Sequence, residues 1–217
     1  MTVIKAKCIL FDMDGTLVDT TACVAVAWRD KAILHGLDQD LVVRSAYGRP
    51  TIDMLQEHFP PECHTLDHAR AFEASFADVR EGVVAVPGAR DAVAAVTDGR
   101  WAVVTAASGM WASKRLAQVG FPPPPHLVAA EDVAAGKPDP ECYRRGASAL
   151  GLDAADAVVF EDSVYGVTAA VAAGATVVAL LTSTPRASLE AAGAHYVVED
   201  LSHVAITSHG DHVSVAL

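Results

Sequence analysis

Six short apolar runs, separated by helix-like stretches, constrain this chain more than anything else in its sequence. They lie at Lys7–Asp12, Trp101–Thr105, His126–Ala129, Ala157–Glu161, Thr176–Leu181 and Tyr196–Val198. Valine, isoleucine and leucine fill them with little polar alternation, as in strands buried on both faces. Helical stretches at Gly88–Thr97, Met110–Val119, Pro140–Leu150 and Val164–Ala173 fall between most of them. Alternating strand and helix predicts an α/β fold, a Rossmann-like parallel sheet with helices on both faces. Ligands of such sheets lie beyond the carboxyl ends of the strands.

One interval breaks the rhythm. Between the first and second runs the chain is far longer than a normal crossover, and Thr20–Gly36, Asp38–Tyr47, Thr51–Phe59 and Leu66–Glu81 all look helical. An inserted helical cap domain over 19–86 is expected, with 1–18 and 87–217 forming the core. A cap there can close over the strand ends, exclude water and touch substrate. Pro122–Pro125 reads as a stiff connector.

With 217 residues, 52% of them hydrophobic and 20% charged, the chain suits one or two compact domains and not disorder. No apolar stretch has the length of a transmembrane helix, and no secretory leader is visible. Cys8, Cys23, Cys63 and Cys142 are widely spaced without a C-x-x-C pair, as in a cytoplasmic protein with reduced thiols. A net charge of −11 without a basic stripe argues against nucleic acid as a partner. No membrane partner is expected either.

The chemistry-bearing residues cluster at the ends of the runs. Asp12-Met13-Asp14-Gly15-Thr16-Leu17 directly follows Cys8–Phe11. Two carboxylates so placed repel, and burying both is costly unless a cation sits between them. Asp12 can then attack an electrophile while Asp14, kept partly protonated, moves a proton. A turn closed by Asp-Gly is the plainer local reading. An EF-hand loop is excluded, since no third acid precedes the glycine and no glutamate closes a twelve-residue loop.

Glu161-Asp162 ends another run and opens Ser163–Ala173, where Asp162-Ser163 also reads as a helix N-cap. Thr105 ends the Trp101 run, and Lys137 stands in Gly136-Lys137-Pro138-Asp139-Pro140. Alone, the threonine is structural and the lysine an ordinary solvated one. Asp139 is expected to cap a helix whose first residue is Pro140.

In order, these are a nucleophile pair, a hydroxyl, an ammonium and a second acid pair. From Lys7 to about Asp200 the chain resembles the haloacid dehalogenase superfamily of phosphotransferases, especially its small-capped sugar-phosphate phosphatases and β-phosphoglucomutases. The resemblance implies a small phosphorylated metabolite as substrate and Mg²⁺ as cofactor. Asp12 would form an aspartyl-phosphate and Asp14 would serve as acid and base. Asp12, the carbonyl of Asp14, and Asp162 would hold the metal, with Glu161 either ligating or standing behind them. Thr105 and the N–H of Ala106 would bind phosphoryl oxygens, and Lys137 would pair with Asp12 and the phosphate. The overall charge repels such a substrate, so these short-range contacts must win.

Arg49, in Tyr47-Gly48-Arg49-Pro50, is expected as a substrate contact from the cap, with a surface arginine as the alternative. Departures from family patterns narrow the reaction. Dehalogenases lack the second aspartate, and phosphonoacetaldehyde hydrolases need a cap lysine absent from Arg44–Gly48. β-Phosphoglucomutases carry a cap histidine where Val24 stands here. Phosphatase is therefore the first reading, phosphosugar mutase the second, and a catalytically silent binding module the third. His35 and His58 are alternative cap bases. His64 and His68 could share a helix face but have no third ligand, and His203, His209 and His212 are expected to be solvated.

Overall fold

The computed structural model describes residues 2–46 and 49–217. The chain opens with strands β1 (Val3–Ala6), β2 (Cys8–Phe11) and β3 (Val18–Asp19), then passes through helices α1 (Thr21–Leu34), α2 (Gln39–Ser45), α3 (Thr51–His58) and α4 (Leu66–Phe76). It returns through β4 (Val84–Ala85) and α5 (Ala89–Ala94), then continues with β5 (Trp101–Val104), α6 (Gly109–Gln118), β6 (Leu127–Val128) and α7 (Glu141–Ala149). There follow β7 (Ala157–Glu161), α8 (Val164–Ala173), β8 (Thr176–Leu180), α9 (Arg186–Ala191), β9 (Tyr196–Val198), β10 (Ala205–Ser208) and β11 (Val213–Ala216).

The expected α/β architecture is present. Six strands pair in the order β6-β5-β2-β7-β8-β9, all parallel. Every residue of β2, β5 and β7 is buried, because helices cover both faces. Side chains alternate between two cores, as strand geometry demands. Ile9, Phe11, Val103 and Phe160 face α5 and α6. Leu10, Val104 and Val159 face α7, α8 and α9. Phe11 stacks on Phe160 with ring centres 5.4 Å apart. Register aligns Phe11 with Val103 on one side and Phe160 on the other, so Asp12, Thr105 and Glu161 leave the same edge of the sheet.

The four helices between β3 and β4 bury a cluster of their own around Trp28, Met54, Leu55, Phe59 and Phe72. Asp38 caps α2 by accepting from Asp40 and Leu41 N–H groups, and Thr65 caps α4 through the His68 N–H. Where the chain leaves the sheet and where it comes back, β3 and β4 pair antiparallel, Val18 opposite Ala85. The guanidinium of Arg115, fully buried on α6, donates to the carbonyls of Phe76 and Val79 and to Cys23 Sγ, and stacks on Trp111. Gln118 adds a bond to the Ala77 carbonyl at 3.0 Å. The end of α4 is thereby clasped to α6. These donors satisfy carbonyls left free by the helix end, and α4 stops at Phe76 instead of running on to Glu81 as expected.

Other boundaries also moved. Gly88, with φ +78°, caps α5, which covers only Ala89–Ala94. The helix after the Lys137 loop starts at Glu141. Pro140 is its cap, and Asp139 Oδ1 accepts from the Glu141 N–H at 2.9 Å. The helix expected over Asp38–Tyr47 ends at Ser45, and Tyr47 lies outside the described residues.

The β3–β4 ribbon and an antiparallel sheet in the order β1-β11-β10 were not expected from the sequence. In that sheet Val213 and Val215 are buried against the first core. His203 and His209 are exposed as expected, whereas His212 is half-buried and stacks on His209. All four cysteines are buried and unpaired. No helix among the described residues is long and apolar enough to cross a membrane.

Candidate active site

The site begins where β2 ends. Asp12 N–H still bonds the Phe160 carbonyl at 3.0 Å, so the sheet itself fixes the first carboxylate. The chain then turns tightly, with the N–H groups of Thr16, Leu17 and Val18 all on the Met13 carbonyl. Gly15 sits in this turn at φ +85°, and a Cβ there would lie 2.1 Å from Asp162 Oδ2. Only glycine permits both the turn and the approach of the second acid pair. Asp14 emerges beyond Asp12 and accepts from Thr20 Oγ1 at 2.6 Å.

Lys137 reaches Asp12 Oδ1 at 2.5 Å, Glu161 Oε1 at 2.7 Å and the Val104 carbonyl at 3.2 Å. Its three N–H bonds are thus all made inside the protein. Glu161 is equally committed. Oε1 also accepts from the Tyr143 hydroxyl at 2.9 Å, and Oε2 accepts from the Asp162 and Ser163 N–H groups and the Ser163 hydroxyl. Five donors surround one carboxylate. Asp162 accepts from Thr16 at 3.3 Å and from the Ser183 hydroxyl.

Oxygens of Asp12, Glu161 and Asp162 lie within 4.8 Å of one another, and among the described residues Lys137 is the one cation bonded to them. Three buried acids against one ammonium leave an excess of negative charge. Burial, with Glu161 and Asp14 adding repulsion, lifts Asp12 to about 8 despite Lys137. Burial and the charges of Glu161 and Asp12 push Asp162 well above the usual carboxylate range. Burial works against Glu161 too, but Lys137 and the surrounding donors hold it below its ordinary value. Asp14 rises to about 6 through burial, opposed by Thr20, Trp111 and Arg115 and reinforced by Glu73.

An uncompensated set of oxygen donors suits a hard cation such as Mg²⁺. Asp12 and Asp162 are the carboxylates left under-neutralised by the protein. Glu161, with five donors already, has no comparable need.

The other expected residues converge on the same place. Thr105 is buried at the end of β5, its Oγ1 accepting from the Ala107 N–H at 3.1 Å. Ala106 follows it on the chamber wall, and its N–H has no partner among the described residues. Arg49 also lines the chamber, from the helical side. It is tied to Glu57 at 2.5 Å, and its guanidinium lies 5.9 Å from the Tyr165 ring. Val24 faces the chamber, whereas His35 packs on Phe59 and His58 sits beside Glu57, both away from it. His64 bonds the Phe59 carbonyl and His68 the Thr65 hydroxyl.

Sequence reasoning missed several residues of the site. Thr20, Tyr143 and Ser183 orient the acids, and nothing local marks them. Trp28, Phe76 and Trp111 form an apolar wall of the chamber. Glu73 lines it too, although only 6% exposed. Its signal was legible, as a lone charge in the stripe Ala69-Phe72-Glu73-Phe76 of α4.

Residues 6–174 match the family model of the haloacid dehalogenase-like hydrolases. Hexitol phosphatase A of Escherichia coli is 35% identical over 81% of this chain and 83% of its own. 2-Deoxyglucose-6-phosphate phosphatase 2 of Saccharomyces cerevisiae is 31% identical over 93% and 91%. A β-phosphoglucomutase from Clostridium difficile superimposes with a TM-score of 0.77 over 90% of this chain and 92% of its own, at 19% identity, and so shares the fold. A strand-end acid pair, a buried lysine and a second acid pair thus occur within a family match that spans most of the chain, which belongs to the haloacid dehalogenase-like hydrolases and is a phosphoric monoester hydrolase among them.

Proposed function

We propose that the protein is a Mg²⁺-dependent phosphatase of small sugar or polyol phosphates, working through a phosphorylated Asp12, with residues 19–86 as a cap over the core. The observation that carries this reading is the pair of carboxyls at the end of β2 in two unlike environments. Asp12 is bonded to Lys137 and clusters with Glu161 and Asp162, while Asp14 stands outside that cluster and accepts from the Thr20 hydroxyl.

In the first step an Asp12 oxygen attacks phosphorus and the bond to the sugar oxygen breaks. Asp14 gives its proton to the departing alkoxide. In the second step Asp14 takes a proton from water, whose oxygen attacks phosphorus. Inorganic phosphate leaves and the Asp12 carboxylate is regenerated. Thr105 and the Ala106 N–H serve phosphoryl oxygens, and Lys137 holds Asp12 in line and balances charge as it develops. Asp12, the Asp14 carbonyl and Asp162 would hold Mg²⁺, with Glu161 positioning Lys137 and Asp162 from behind. The metal, when bound, neutralises phosphate charge and lets an anion enter an acidic site. The named substrates of the two relatives, a hexitol phosphate and 2-deoxyglucose 6-phosphate, support the substrate class. Four buried, unpaired cysteines fit a reducing, cytoplasmic setting.

The competing reading is a phosphosugar mutase, whose acceptor is a second sugar hydroxyl. Val24 faces the chamber at the position of the mutase histidine, and no histidine lines it among the described residues. General-base help is worth about 10²–10⁴-fold, enough to decide the acceptor. Incubation with β-glucose 1-phosphate and a trace of the 1,6-bisphosphate separates the two. Free phosphate is expected, and rapid glucose 6-phosphate with little free phosphate would refute the phosphatase reading.

A further inference from the structure

The chamber has a phosphate end and a tail end, and their charges differ. At the phosphate end, Lys137 and the metal-binding acids face the reacting group. The tail end is built by the helical insertion, and among the described residues its one charge not held in an ion pair is Glu73. This carboxylate is nearly buried, yet both oxygens hold hydroxyl groups instead of a cation. Oε1 accepts from Thr51 at 2.8 Å and Oε2 from Ser108 on the core. Each oxygen keeps a lone pair. Among the described residues, the two cations lining the chamber are committed elsewhere, Lys137 to Asp12 and Glu161, and Arg49 to Glu57. The charge of Glu73 is felt within the chamber, being among the influences that raise Asp14.

Val24, Trp28, Phe76 and Trp111 line the same chamber as Glu73. Aromatic faces suit the C–H surfaces of a carbohydrate, and an anionic acceptor suits its hydroxyls. The same wall is hostile to a second phosphate or a carboxylate, which would meet a buried like charge without a free cation. Resting on the phosphatase reading above, we infer that Glu73 is the specificity-determining residue, accepting hydrogen bonds from the hydroxyls of a neutral polyhydroxylated tail and rejecting substrates that carry a second anionic group. Ser108 ends the turn that begins at Thr105, and its hydroxyl also accepts from the Trp111 N–H at 3.4 Å. Glu73 therefore joins the reading of the tail to the segment proposed to bind phosphate.

A matched pair of substrates tests this. Sorbitol 6-phosphate and 6-phosphogluconate are six-carbon open chains that differ in a terminal carboxylate. Phosphate release should favour sorbitol 6-phosphate in the wild-type protein, with a kcat/KM ratio of about tenfold to a hundredfold, the scale of one like-charge contact at partial burial. Glu73→Gln keeps the shape and one acceptor but removes the charge. It should shrink the ratio at least tenfold, chiefly by lowering KM for 6-phosphogluconate. Ser108→Ala cuts the bridge to the core without touching the charge and should keep the preference. So should Glu73→Asp, which also covers the case of a poorly folded glutamine variant. A ratio within twofold of wild type in an active Glu73→Gln protein would overturn the assignment. So would equal losses on both substrates in Glu73→Gln and Ser108→Ala, since these mark a structural bridge. A wild-type protein that releases phosphate from neither compound nor from p-nitrophenyl phosphate would instead refute the phosphatase reading itself.

Discussion

Asp162→Asn is expected to stabilise the metal-free fold while abolishing turnover, a combination peculiar to a residue retained for binding a cation. Oxygens of Asp12, Glu161 and Asp162 lie within 4.8 Å of one another. At an effective dielectric of about 20, two like charges at that distance repel by about 3.5 kcal/mol. The substitution removes repulsion from two carboxylates and attraction from one ammonium, a net relief of roughly one such pair. Burial and the neighbouring charges raise Asp162 well above the usual carboxylate range, which discounts that relief, so a gain of about 1–2 kcal/mol is expected. Asparagine keeps an acceptor for Thr16 or Ser183, so little hydrogen bonding is lost.

For a chain of 217 residues, 1 kcal/mol shifts Tm by about 2–4 °C, which puts the variant about 2–8 °C higher in chelator. Mg²⁺ at a hundred times its Kd should stabilise the parent by about 2.7 kcal/mol and the variant far less. Thermal scans of both proteins in chelator and in Mg²⁺, beside a phosphate-release assay, read out all of this. A variant that melts below the parent in chelator, or gains as much from Mg²⁺, would refute the charge-balance account of the site.

Asp12→Asn should lower phosphate release by several orders of magnitude while far-ultraviolet circular dichroism stays unchanged, and activity within tenfold of the parent would remove Asp12 as nucleophile. Activity should vanish in excess chelator and return with Mg²⁺, whereas Ca²⁺, larger and looser in coordination, should bind yet restore little turnover in the same assay. Arg115→Met strips the carbonyls of Phe76 and Val79 of a buried donor. It should cost about 2–4 kcal/mol in urea denaturation, and a loss below 1 kcal/mol would contradict the clasp between α4 and α6.

The strand-helix alternation carried the central sheet because both faces of β2, β5 and β7 are buried, leaving runs that no amphipathic helix would show. The strand-end residues Asp12, Thr105 and Glu161 were legible for the same reason, since register alone brings them to one edge. The tail strands β10 and β11 were not. Val213 and Val215 are buried but alternate with Ser214 and Ala216 over only four residues, too short a period to read against a histidine-rich background. Strands β3 and β4 have two residues each, and only their pairing with one another makes them strands. Thr20, Tyr143 and Ser183 are ordinary polar residues until the fold delivers an acid to them. Glu73 was open to discovery, because a charge in an apolar helical stripe either has a partner or a purpose.

The pairing of β3 with β4 has a consequence for how such a protein can change over generations. Because departure and return lie side by side, the entropy of closing the intervening loop is met once, by the sheet and the Val18–Ala85 ribbon. Closure cost then grows so slowly that doubling the inserted length adds only about 0.6 kcal/mol. The helices between can be lengthened, trimmed or rewritten while the strands that lead into Asp12 and Asp162 keep their register. On the proposed reading of the site, selectivity for the tail of the substrate and the power to cleave its phosphate would be heritable separately, the first exchangeable like a tool head and the second retained as the handle.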